Sequence, residues 1–380
     1  MTEVLSHRQR NRALLARQHL LERADTTVDA LLSHLVGMQA QEPRDPYTAL
    51  FSRLTGFEPA DLEQMLLERT AVRLPVMRTT LHLVTARDAP LLWSLSRPGL
   101  ARVFRSTQWG RHLAAANAPM DEIVAAGTEL LAERPLPSVE LRTALAERFP
   151  AYDVDALAQA VHYMAPVVQV PPRGLWTKTS RPVWTTMQAW IGVEPTELTD
   201  RGLDEVVLRY LAAFGPANAA DVTTWSGRTA TREVLERLRP QLVVFRDEDN
   251  RELFDLPDAP RPEPDTPAPP RFMPVYDNVG LSHKDRRHVI PPDTVGPLDG
   301  WVGTMLVDGF LRGQWDVVRD GTTAALEVSA LSPLSAAEKA DIEPEAIALL
   351  RMHAPDAEPS VRFGPLSRWQ RRAPPGGAPA

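Results

Sequence analysis

The sequence predicts an α+β fold: three tandem winged-helix motifs followed by a small β-barrel-like domain. Three observations carry the prediction. A helix–helix–helix–hairpin pattern occurs three times in succession. Beyond residue 270 the chain changes to apolar runs of strand length. A length of 380 residues suits two or three structural units rather than one. The expected boundaries are 1–118, 119–195 and 196–258 for the three winged units. Residues 259–380 then hold a Pro-rich linker, the β-rich domain and a disordered tail.

The first unit opens on helices over Arg8–Leu21 and, after the capping residues Asp25–Thr27, over Val28–Val36. Pro43 and Pro46 break the chain before a helix from Tyr47 to Leu54, and a fourth covers Asp61–Glu68. Val72–Arg78 and Thr80–Thr85 then read as a hairpin. The second unit repeats this with helices over Asp121–Glu133, Val139–Arg148 and Asp155–Met164, and a strand–turn–strand over Val167–Thr185. The third has helices over Leu203–Phe214, Ala219–Trp225 and up to Leu238, then strands Leu242–Arg246 and Arg251–Leu256. Past the acidic, Pro-rich stretch 257–271, strands are expected at Arg271–Tyr276, Trp301–Val307, Phe310–Val318 and Ala324–Ser329. Asp308-Gly309 gives a strong hairpin signal and a candidate for a turn that enters the minor groove. A helix over Ser335–Met352, a closing strand over Ser360–Phe363 and a tail over Arg371–Ala380 complete the chain.

Composition narrows the function. The absence of cysteine excludes disulfides, thiolate catalysis and cysteine-ligated zinc. No apolar run approaches the roughly 18–20 residues of a membrane helix, and the polar, basic N-terminus does not read as a signal peptide. A cytoplasmic, nucleoid-associated protein is expected. No ligand spacing for a metal and no Gly-rich phosphate loop is present, so neither metal nor cofactor is expected. The net charge of −7 argues against nucleic acid, but its distribution argues for it. Residues 89–120 carry Arg97, Arg102, Arg105 and Arg111 without an acid. Residues 156–193 carry Arg173, Lys178 and Arg181, again without an acid, and residues 1–23 carry five arginines against two glutamates. A basic face and an acidic back fit this pattern.

Three stretches stand out: Gly37-Met38-Gln39-Ala40-Gln41, Arg78-Thr79-Thr80-Leu81-His82-Leu83, and Asp277-Asn278-Val279-Gly280-Leu281-Ser282-His283-Lys284-Asp285-Arg286. Together they resemble the winged-helix family of alkylpurine DNA glycosylases, from about Leu5 to Gln370. In one branch of that family the second residue of the glutamine pair is aspartate; Gln41 puts this chain with the AlkZ-like branch. The resemblance implies a C-shaped, DNA-wrapping monomer. It also implies hydrolysis of the N-glycosidic bond of N7-alkylguanine, bulky natural-product adducts and interstrand crosslinks included. The partner would be double-stranded DNA carrying N7-alkylpurine lesions, and Gln39 and Gln41 would be the catalytic pair. The DNA-binding candidates are His82, His283, Lys284, Arg286, Arg287, Arg173 and Lys178.

Two glutamines cannot titrate, yet the chemistry tolerates them. Glycosidic hydrolysis ordinarily uses an acid and a base. An N7-alkylated guanine already carries the positive charge that protonation would supply, so the acid is dispensable. The remaining tasks are to stabilise an oxocarbenium-like sugar and to position water, which fixed amide dipoles can do. Glu42 and Asp45 lie close by as alternative carboxylates. A non-enzymatic winged-helix regulator is the other reading. Against it stand three winged units in one chain and the mainly apolar candidate recognition helices. An inactive, lesion-binding relative is also compatible with the sequence. Trp176, Trp184 and Trp190 are candidate stacking residues, with packing in the core or the wings the more ordinary role.

Overall fold

The computed structural model describes residues 3–292, 294 and 302–367. The expected tail over 371–380 and the start of the strand at Trp301 lie outside these residues.

The first winged unit is built from helices Val28–His34, Asp45–Phe51 and Pro59–Leu67 and the wing Ala71–Pro75/Leu81–Thr85. The second has helices Met120–Glu133, Ser138–Arg148 and Val154–Met164 and the wing Val167–Gln169/Val183–Thr186. The third has helices Asp200–Phe214, Ala219–Ser226 and Thr231–Leu238 and the wing Val243–Asp247/Glu252–Asp255. Local chemistry accounts for the helix starts. Thr27, Asp153, Thr199 and Asn218 each accept a backbone N–H of the first turn, satisfying donors with no helical partner.

Two wings share one sheet. Its order is Met38–Gln39, Leu81–Thr85, Ala71–Pro75, Val167–Gln169, Val183–Thr186, Leu136–Pro137. The junction is a single pairing, Arg73 with Gln169, reinforced by Arg73 Nη1 donating to Gln169 Oε1 at 2.8 Å. Helices Ala89–Ser106 and Gln108–Ala115, which the sequence reading left unassigned, connect the first two units. Arg97, Arg102, Arg105 and Arg111 are exposed there, and none is in an ion pair with a described carboxylate.

The N-terminal segment does not belong to the first unit. Strand Val4–Leu5 pairs in parallel with Val243–Asp247 of the third wing, and helix His7–Arg17 packs on helix Asp200–Phe214. Its arginines are therefore not a DNA face. Arg8 and Arg12 engage Asp308, Arg17 pairs with Asp255 at 2.7 Å, and Arg23 pairs with Glu345 at 2.5 Å. This also revises the expectation for Asp308-Gly309. The two residues do form a hairpin turn, but Asn11 donates to Gly309 O at 2.7 Å, so the N-terminal helix covers it.

The C-terminal sheet has the order Arg271–Met273, Gly303–Val307, Phe310–Asp320, Thr323–Ala330, Glu358–Phe363. The last pairing is parallel, and helix Ala336–His353 packs against the sheet. The first and last strands do not pair among the described residues, so the sheet is open rather than a closed barrel. One continuous core joins the units: Leu14 of the N-terminal helix, Val72 and Val84 of the first wing, Tyr210 and Trp225 of the third unit, and Met273 and Leu306 of the C-terminal sheet. Burial of this kind contributes roughly 25 cal/mol per Å² of apolar surface, so the units stabilise one another.

Candidate active site

The glutamine motif does not end a helix. Helix Val28–His34 stops, Val36 and Gly37 take left-handed backbone conformations, and the chain enters the edge strand Met38–Gln39. Glycine is required at position 37: its φ is +91°, and a Cβ there would lie 2.7 Å from Val84 Cγ1. The strand pairs Gln39 with His82 of the first wing. Ala40 is clamped on both sides, its N–H donating to Leu81 O at 2.8 Å and its carbonyl accepting Arg73 Nη2 at 2.7 Å.

Gln39 is only 6% exposed, and its Oε1 accepts Arg78 Nη2 at 2.8 Å. A guanidinium can only donate, which fixes the orientation of the amide. Arg78 reaches Gln39 because Arg78 and Thr79, at the wing tip, both have positive φ. Such backbone costs a non-glycine residue roughly 1–2 kcal/mol and is characteristic of functional sites. Burial pushes the Arg78 guanidinium down to about 10, still charged at neutral pH, and its Nη1 has no hydrogen-bond partner. Gln41 is exposed, and its Oε1 accepts the Leu81 N–H at 3.2 Å. Both amides are thus tethered through oxygen to donors of the same wing.

The three stretches singled out in the sequence converge here. Asn278 donates through Nδ2 to Gly37 O at 2.8 Å, and its Oδ1 lies 3.5 Å from Arg78 Nη2. Asp277 takes a bidentate pair from Arg53 at 2.8 and 3.0 Å, and Asp45 accepts the Tyr276 N–H at 3.3 Å. Burial pushes the Asp45 carboxyl up to about 7, with the Tyr276 N–H opposing the shift. Asp45 lines a different cleft from Gln41, with Thr48, Trp315 and His353.

Several expected DNA contacts lie elsewhere. His82 is wholly buried: Nδ1 donates to Thr80 O at 3.0 Å and Nε2 lies 3.2 Å from Arg78 Nη2. Burial and the neighbouring Arg78 push it down to about 3, so it is a neutral support of Arg78 and does not reach a phosphate. His283 is likewise interior, with Nε2 bonded to Phe214 O at 3.0 Å and its ring against His288. Arg287 is bound to Asp285 and Asp249. Lys284 and Arg286 are exposed. Arg173 and Lys178 line a cleft of about 660 Å³ with Glu42, Arg44 and Arg181, beside the residues that follow Gln41. Arg78, Arg73 and Asn278 were given no role from sequence. A lone arginine within the apolar run of the first strand was the available signal for Arg73.

One group among the described residues has metal-ligand geometry: Asp247, Asp249 and Asp285. Arg251 and Arg287 already sit among these carboxylates. They neutralise the charge that a cation would otherwise neutralise.

Comparison with known proteins gives the family and the fold. The DNA glycosylase AlkZ-like family model matches residues 32–352. The Streptomyces sahachiroi DNA glycosylase AlkZ shares the fold at a TM-score of 0.71 and 19% identity, over 95% of this chain and 100% of that one. No curated protein sequence matches. The matched span takes in the glutamine strand, the first wing and the Asp277–Arg286 run: the chain belongs to the AlkZ-like family of DNA glycosylases.

Proposed function

We propose that this glycosylase is monofunctional and hydrolyses the N-glycosidic bond of N7-alkylguanine in double-stranded DNA. Gln39 and Gln41 then form the catalytic pair. The observation that carries this reading is the hydrogen-bonded convergence of Arg78 and Asn278 on the Gln39 strand. With its oxygen tethered, each amide retains a second acceptor lone pair and an NH2 group for a water and the reacting sugar. No reorganisation is needed as positive charge develops at C1′. The C1′–N9 bond breaks and its electron pair neutralises the purinium ring. Water adds to C1′ and its proton passes to solvent, so no titrating side chain is required.

The support extends to selectivity. The two amide oxygens are held by an arginine and a backbone N–H, neither able to protonate a neutral purine. Undamaged bases therefore leave slowly, and cationic ones leave readily. Arg44, Arg173, Lys178 and Arg181, with the exposed arginines of helices Ala89–Ser106 and Gln108–Ala115, supply phosphate contacts on a chain that is acidic overall. Bulky natural-product adducts and crosslinks extend the same chemistry, because the charge on the ring does not depend on the size of the substituent. Family membership favours the enzyme over a transcriptional regulator.

The test is release of free base from a duplex carrying one 7-methylguanine. Gln39→Ala and Gln41→Ala should each lower the single-turnover rate about 10²-fold or more while duplex affinity is unchanged. Excision at the wild-type rate by both variants overturns the assignment.

A further inference from the structure

Beside Gln41 lies a cleft of about 270 Å³ to which the proposed reaction assigns no role. Gln41 and Leu81 of the first unit form one wall. The second unit forms the other, through Gln159, His162 and Tyr163 on helix Val154–Met164 and Trp184 on its wing. The His162 and Trp184 rings are 4.6 Å apart with their planes inclined by 32°. Trp184 is held in place by its indole N–H, which donates to Ser138 Oγ at 3.2 Å. His162 Nε2 has no hydrogen-bond partner, an uncommon state for a buried ring nitrogen. Burial first, then the charge of Arg142, pushes His162 down to about 4, so the imidazole is neutral. Arg142 is itself paired with Asp155 at 3.0 Å.

Arg142 also lines the cleft, its charge offset by Asp155. The other polar groups of the lining are aromatic, amide or hydroxyl, and no carboxylate is among the described lining residues. Aromatic faces attract flat cations, and amide groups can read a base edge. We infer that this cleft receives the alkylpurine itself, everted from the duplex, with His162 and Trp184 as its aromatic wall and Gln159 at its edge. The inference rests on the reading of Gln39 and Gln41 as the catalytic pair, since Gln41 forms the rim. Eversion costs unstacking and unpairing, and least for a damaged base. The volume suits a purine with a small alkyl group.

Full-length protein is titrated with 7-methylguanosine at mildly acid pH, where the ring is cationic, and with guanosine, reading tryptophan fluorescence. Saturable quenching about tenfold tighter for 7-methylguanosine is expected, and Trp184→Leu should remove it. Gln159→Ala lies on a half-exposed helix face and should melt as the wild type does. It and His162→Ala should each lower 7-methylguanine excision about tenfold with undamaged-duplex affinity unchanged. Equal quenching by both nucleosides overturns the inference, as does wild-type excision by Gln159→Ala. If the Gln39 and Gln41 variants are inactive while Gln159→Ala is not, only the cleft assignment falls. Active Gln39 and Gln41 variants refute the catalytic reading instead.

Discussion

Asp45 is one of two carboxylates close in sequence to the glutamine pair, and burial decides what it can do. With its carboxyl pushed up to about 7, the folded protein keeps a proton there that the unfolded chain loses near 3.8. Between these values the folded state binds the extra proton, so stability falls as pH rises, by up to about 1.4 kcal/mol per unit. The stabilisation is complete below 3.8 and gone above about 7. Asp45→Asn, which cannot ionise, should flatten that slope and melt higher than the wild type at alkaline pH. Parallel curves of melting temperature against pH would refute the assignment. Residue identity makes Gln39 and Gln41 candidates from the sequence, because their motif is a contiguous string. Arg78 lies within a motif that does not show what the residue does. Its role depends on a left-handed wing tip and on Asn278, 200 residues away in sequence.

Elements were legible wherever a local signal sufficed. The three winged units and most of their helix ends follow from apolar periodicity and capping residues. The edge strand Met38–Gln39 did not, since a two-residue strand has no period and exists only because the first wing offers a partner. Nor did the fate of the basic windows. Counting arginines cannot separate those of the N-terminal helix, bound to Asp308 and Asp255, from those of the second wing. On the proposed reading the loop of the second wing, whose Arg173 and Lys178 line the cleft beside Glu42 and Arg44, tracks the DNA backbone. Replacing both residues by glutamine should weaken binding to any duplex and reduce the slope of log affinity against log salt by about 2. An unchanged slope would remove this loop from the interface.

At the scale of the whole molecule, the site is held by residues far apart in the chain. Its strand and wing belong to the first unit, and the Asp277–Arg286 run leads into the C-terminal sheet. The two are joined by the Arg53–Asp277 pair, 1% and 6% exposed, and by the contacts of Asn278 beside it. Arg53 also donates to Gln18 Oε1 at 3.1 Å, which ties the N-terminal helix to the same point. A buried pair broken on one side leaves an uncompensated charge, which costs about 3–5 kcal/mol, whereas replacing both partners by apolar groups costs much less. Asp277→Asn should therefore lower the urea midpoint more than the double variant Arg53→Met/Asp277→Leu does. Stability and catalysis then separate. Only the double variant loses the oxygen that accepts the Val279 N–H at 2.9 Å and orders the turn bearing Asn278, since the amide of Asp277→Asn can still accept it. The double variant should therefore excise 7-methylguanine slowly although it is the more stable of the two. A double variant that regains wild-type stability and wild-type excision would show that the pair only holds the fold, without positioning Asn278 against Arg78.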